Sequence, residues 1–528
     1  MRRSALLLLA SLIAVSGATA SPRSDGLVSK AVQALGGESA LAGVKTVAVK
    51  GTIRQWEPEQ SVMPGGDMRL TNDSTFETVV DYGARASRTD WVRNYVYPAP
   101  RTYTFSEIVT PDAGYVIGID TTARTKQSME SNPPAHAMSG LRLATVQREM
   151  RRASPLMFLD MLRNPDRVSD AGDMTSGGMA YPAVNYTVSG QTFTVAFDPQ
   201  TNLPARIRTM DYDNIWGDVN FDLVLSDWRP MGGRQVATTQ QYQLNGRTVA
   251  ERKITDVQAN VPVAADRLMI PDAVKASAAK PATGNLHYQW VIRRQFIGTY
   301  LDSDNPSFDT RVTSSLRLVE LGPGIQHVVG GSHNSLIVEM KDYLIVFDAP
   351  VTDAQSNWTL DAARQKFGAK PVKYLVLTHH HMDHTGGLRA YIAQGATLVV
   401  GKGAAEHFRS VLAAPFRRNP DLQARDLSRA PITEVADKQV FSDGQREVVA
   451  YVIENPHAAA SLIGYVPAER LGFVTDLWSP GPPLGATLNP NQAAVVAAVK
   501  KLGISPVKFA GGHGSTADYS TLAALEGK

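Results

Sequence analysis

The stretch Thr378-His379-His380-His381-Met382-Asp383-His384-Thr385-Gly386-Gly387 (THHHMDHTGG) puts four histidines and an aspartate into six consecutive positions of a 528-residue chain that holds only 11 histidines. It follows "KYLVL" (Lys373–Leu377), a short continuous apolar run of the kind that forms a buried strand, and it precedes "GGLRAYIAQG", which reads as a helix. The cluster therefore lies on the loop leaving the C-terminal end of a strand, the edge where open α/β sheets place their sites. Adjacent imidazoles disfavour charging together and are costly to bury without partners. A shared cation removes both problems. A solvated histidine-rich loop and a closed structural zinc site are the competing readings, but the latter favours cysteine and the chain has none.

Outward from the cluster, "DYLIVFDAP" (342–350) is a second short apolar run, separated from the first by the helix-like "SNWTLDAARQKFG" (356–368). Buried strands alternating with helices predict a layered α/β domain. Upstream, the small, polar, proline-bearing "DAVKASAAKPATGN" (Asp272–Asn285) reads as a linker. Before it, a helical start gives way near Val44 to alternating apolar residues, and strand signals dominate to about residue 270. Asn245-Gly246 is the strongest short hairpin signal among them. This predicts a mostly antiparallel β domain over 21–271, a connecting segment over 272–315 and an α/β domain over 316–528.

Residues 1–20, "MRRSALLLLASLIAVSGATA", have a basic start, an apolar run too short to span a bilayer and an Ala-Thr-Ala exit, the pattern of a signal peptide. Export to the periplasm or medium is the expectation. Without those residues the charge balance moves from 53 − 50 = +3 to 51 − 50 = +1. A chain so near neutral carries no electrostatic footprint for nucleic acid or an anionic membrane, and no other segment is apolar enough for a span. A small-molecule substrate is the partner expected; oligomeric state leaves no trace in the sequence. Zero cysteines exclude disulfides and thiolate ligands.

His379-x-His381-x-Asp383-His384 resembles the HxHxDH motif of the metallo-β-lactamase superfamily of metallohydrolases, and the likeness runs from about Leu316 to the C-terminus. The family has a third histidine downstream, an acidic bridging ligand at a strand end and a last histidine near the C-terminus. His457 in "ENPHAAAS", Asp476 in "GFVTDLW" and His513 in "FAGGHG" stand in that order. The resemblance implies an αββα sandwich in which His379, His381 and His457 hold one metal ion and Asp383, His384 and His513 a second, with Asp476 bridging. It implies two Zn2+, with iron or manganese also admitted by the aspartate bridge. Attack by a metal-activated hydroxide follows, with Asp383 orienting it and accepting its proton. Asp348, ending "LIVFD", is either the family's bracing aspartate or a strand-end turn acid.

The substrate is less legible, because one fold hosts many chemistries. β-Lactamase branches generally carry Cys or Ser where this chain has Asp476; lactonases keep the aspartate but have a tyrosine where Ser479 stands. Hydrolysis of a carbonyl ester, lactone or amide is the expectation, with β-lactam hydrolysis the rival. A non-catalytic lipid or peptide binder is the alternative from another class. His333 and Asn334 in "GGSHNS", and Trp478 and Ser479 after the bridging aspartate, are the candidate substrate residues, against plain readings as hairpin turn and core. The β domain shows no polar constellation and reads as a structural cover.

Overall fold

A computed structural model describes residues 21–120, 134–284, 287–297, 315–331, 333–418 and 426–527; the signal-peptide expectation for 1–20 lies outside them. The helix Pro22–Ala34 opens with proline in its first turn and a reciprocal Ser21–Ser24 capping box, which satisfies amides that helix geometry leaves orphaned. From Thr46 to Ala259 the chain forms a 13-stranded sheet of consecutive antiparallel neighbours. Its first strand, Thr46–Glu57, pairs with its last, Arg247–Ala259, so two meanders become one curved surface. Asn245 and Gly246 both adopt positive φ (47° and 82°) in the hairpin between Arg234–Leu244 and Arg247–Ala259. That is what a two-residue turn matched to strand twist requires.

The connecting segment departs from a plain linker. A short helix occupies Asp272–Ser277, and a second, Tyr288–Ile297, is built into both cores. Trp290 packs among Leu344, Leu360 and Leu388 of the α/β domain, while Ile292 joins the sheet core with Val47 and Phe76. Arg293 is fully buried, with ion pairs to Glu57 and Asp213 and Glu59 at 3.8 Å. The polar composition upstream of Tyr288 concealed a helix whose stability comes from tertiary packing rather than from its own propensity.

The C-terminal part stacks two sheets, one of 7 strands from Arg317 to Val435 and one of 6 strands from Lys438 to Asp518. Phe347, Val376 and Val399 of the first face Leu462, Val466 and Phe473 of the second. A Cβ at Gly464 would lie 2.7 Å from the Phe347 ring, so only glycine lets the sheets close there. The helix Asp353–Phe367 covers the outer face of the first sheet through Leu360 and Ala363. Pro490–Leu502 covers the second through Val495, Val496 and Val499. The αββα sandwich follows. Among the described residues, no helix is long and apolar enough to cross a membrane.

Candidate metal centre

The donor residues leave the C-terminal ends of strands from both sheets: His379 to His384 after Val372–Val376 of the first, Asp476 after Leu471–Val474 and His513 after Lys508–Gly511 of the second. His457 follows Glu447–Val452 by a short turn. They form two groups. His379, His381, His457 and Asp476 bring one donor atom each to within 4.8 Å of one another, and so do His333, Asp383, His384 and His513. Asp476 faces both. Its Oδ2 lies 3.2 Å from His379 Nε2 and 2.9 Å from His457 Nε2, and its Oδ1 lies 3.2 Å from His384 Nε2 and 2.5 Å from His513 Nε2. The residue sits in the left-handed region (φ 58°), which aspartate tolerates better than most.

Three of the remaining ring nitrogens are held from behind, which orients the rings. His379 Nδ1 is 3.2 Å from Thr378 Oγ1, and His381 Nε2 donates to the Ser61 carbonyl at 2.9 Å. His384 Nδ1 is 3.2 Å from Asp348 Oδ2. Asp348 in turn accepts from the Thr378 amide (2.7 Å) and hydroxyl (2.9 Å), so this buried acid braces the metal loop rather than merely closing a turn. The front atoms His379 Nε2, His381 Nδ1 and His457 Nε2 are buried without a hydrogen bond. Buried acceptors left open in this way are costly unless a cation occupies the space between them, so the residues fit a metal ion.

Electrostatics agree. Burial, reinforced by the neighbouring His384 and His457 rings, pushes His379 down to about 3, and burial with His379 and His457 holds His381 well below its usual range. Both are therefore neutral ligands at pH 7. Burial would raise Asp476, but the facing His384 and His513 imidazoles more than offset it and the carboxyl is held well below the ordinary range. Asp383 is likewise held low, against burial, by its hydrogen bond to His333 and by His384.

The N-terminal domain reaches into this centre through the segment between Thr46–Glu57 and Arg69–Asp81. Gln60 Nε2 donates to Asp383 Oδ1 (3.1 Å), and Tyr97 donates to Gln60 Oε1 (2.7 Å). Arg69 lies over the Tyr97 ring at 4.4 Å and donates to the His457 carbonyl at 3.0 Å. The Ser61 hydroxyl donates to Met63 and so accepts from His380 Nε2 at 3.1 Å. The expectation that this domain holds no polar constellation is corrected. Its polar residues are dispersed in sequence and converge only in the fold.

Of the candidate substrate residues, His333 belongs to the second donor group, with Nε2 3.1 Å from Asp383 Oδ2 and its ring 4.3 Å from that of His513. Asn334 does not line the site: its Nδ2 bonds the Gly511 and Gly514 carbonyls at 2.9 and 3.0 Å, anchoring the turn that carries His513. Trp478 is 2% exposed and packs with Phe509 in the core beneath the second sheet, which corrects its assignment to a substrate wall. An indole following a strand end is drawn into the apolar layer beneath. Ser479 is exposed. Gln60, Ser61, Arg69 and Tyr97 carry no signal in the sequence.

Residues 328–518 match the family model described as the metallo-beta-lactamase superfamily. A curated relative, the linear primary-alkylsulfatase of Pseudomonas sp, is 32% identical over 104 residues, which is 19% of this chain; the match spans only 15% of the relative's length. Among solved structures, a metallo-beta-lactamase from Pontibacter korlensis is 20% identical with a TM-score of 0.31, covering 40% of this chain and all (100%) of that one. The stereoselective inverting sec-alkylsulfatase Pisa1 from Pseudomonas sp. is 17% identical with a TM-score of 0.31, covering 40% and 41%. With the motif ligands in family order and a carboxylate facing two donor groups, the α/β domain that contains residues 328–518 is a member of the metallo-beta-lactamase superfamily.

Proposed function

We propose that the chain is an exported metal-dependent hydrolase that binds two metal ions, zinc in preference to iron or manganese, and cleaves a carbonyl ester, lactone or amide. The observation that carries this is Asp476, whose two oxygens face two separate nitrogen-rich donor groups. A metal pair so held supplies Lewis acidity and lowers the pKa of water. The chain's own residues supply the rest. Asp383, kept as a carboxylate, is placed to take a proton at Oδ2, where His333 Nε2 donates to it, while Gln60 fixes Oδ1. The covering segment carries Val62 and Met63, 49% and 58% exposed, which suit a substrate with an apolar side.

The name of the 32% identical relative favours a second reading, hydrolysis of a sulfate ester. Initial rates of the zinc-loaded protein on matched lactones, aryl esters, amides, β-lactams and alkyl sulfates separate them. Highest kcat/KM on lactones, esters or amides, abolished in His381→Ala together with metal content, supports the proposal. Preference for alkyl sulfates or β-lactams reverses the substrate assignment, and no turnover of any class would leave a binding protein.

A further inference from the structure

A large cavity lies away from the histidine cluster. It lies against one face of the N-terminal sheet, beneath the helices Gly140–Arg152 and Leu156–Arg163, with a volume of about 1060 Å³. That is at the upper end of the roughly 300–1,000 Å³ of small-molecule sites. Val47, Val49, Val80, Ile254 and Val257 form an apolar wall along three adjoining strands, and Trp228 adds to it from a strand further along the same sheet. Exposed Arg85, Arg167 and Ser189 stand in its lining, so the cavity opens to solvent.

Its charge is unbalanced. Seven arginines but three carboxylates line it, and each carboxylate is already engaged: Glu107 by Arg142, Glu149 by Arg152 and Asp160 by Arg167. Arg234 lines the cavity at 6% exposure, with Nη1 making no hydrogen bond and no carboxylate pairing with it among the described residues. Among the described residues the Tyr82 phenol is the ionisable group that bears on it, and burial lowers the Arg234 pKa. A guanidinium taken out of water without a counter-charge is expensive, and an incoming anion removes that cost. Beside it lies apolar surface that an alkyl chain would cover.

We propose that this cavity binds a single-chain anionic amphiphile, a fatty-acid-like carboxylate whose head group pairs with Arg234 and whose chain lies along the Val47–Val80–Val257 wall. The site is separate from the metal centre and does not depend on its chemistry.

The test uses the full-length, metal-loaded protein and displacement of a fluorescent fatty acid, with laurate, dodecanol and dodecyltrimethylammonium as competitors. Laurate should displace the probe saturably, and the neutral and cationic chains should do so about tenfold or more weakly. Arg234→Gln should erase the preference for laurate over dodecanol, leaving hydrolytic rate unchanged. Val49→Trp, which fills the cavity, should abolish binding of both; far-UV circular dichroism checks that each variant folds. Absence of saturable laurate binding, equal affinity for laurate and dodecanol, or an unchanged preference in Arg234→Gln would overturn the proposal. So would binding to phosphatidylglycerol vesicles without binding of free laurate, which would make the occupant a membrane lipid.

Discussion

Arg293→Met tests how the covering segment is held over the metal centre. Arg293 is fully buried at the junction of the domains; its Nε lies 3.1 and 3.2 Å from the two Glu57 oxygens, and it also bonds Asp213. Glu57 ends the strand from which Gln60 and Ser61 reach the histidines. Methionine fills most of the volume but leaves Glu57 and Asp213 facing each other in the interior, where breaking a buried pair from one side costs about 3–5 kcal/mol. Chemical denaturation followed by tryptophan fluorescence reads this through Trp216 and Trp290, which lie at the same junction. Stranded carboxylates take up protons as pH falls, so the loss should shrink from pH ~8 to pH ~5. Adding Glu57→Gln and Asp213→Asn should recover most of it, since an apolar or neutral set of like volume is tolerated. A loss under about 1 kcal/mol, or one equal at both pH values, would refute the reasoning.

Burial raises the Glu59 pKa to about 8 from 4.5, so the folded chain keeps a proton that the unfolded chain releases. Stability should therefore fall by about 1.4 kcal/mol per pH unit between those values, a slope that Glu59→Gln should flatten in pH-resolved denaturation. His333→Ala should weaken retention of one metal ion of the pair about tenfold or more, read by chelator competition, while the other ion stays; unchanged retention of both would remove His333 from the donor group. Gln60→Ala deletes a hydrogen bond to an ionised carboxylate, of the order of 1.5–3 kcal/mol. It should lower kcat about tenfold to a hundredfold with metal content intact, and a change in KM alone would assign Gln60 to substrate binding instead.

By itself the sequence determined the α/β sandwich, the strand-end location of the histidine cluster and the order of its donors. The layered α/β pattern and the strand-end loop are legible because they are local or periodic, while the sandwich, the ligands and their order through His457, Asp476 and His513 came from the resemblance of His379-x-His381-x-Asp383-His384 to a family motif. The Asn245-Gly246 hairpin was legible for the same reason, since a two-residue turn has one backbone solution. Tertiary structure alone decided the rest. Gln60 and Asp383 are 323 positions apart, and "EPEQSVMPGGD" (57–67) reads as an ordinary turn until the domains dock and set it over the donor groups. His333 becomes part of a donor group only when Asn334 ties its loop to the turn bearing His513. Trp478, adjacent in sequence to the site, is taken by the core because burying an indole outweighs proximity along the chain. Likewise the unpaired charge of Arg234 exists only once burial has removed it from water, a property no single residue in a sequence possesses.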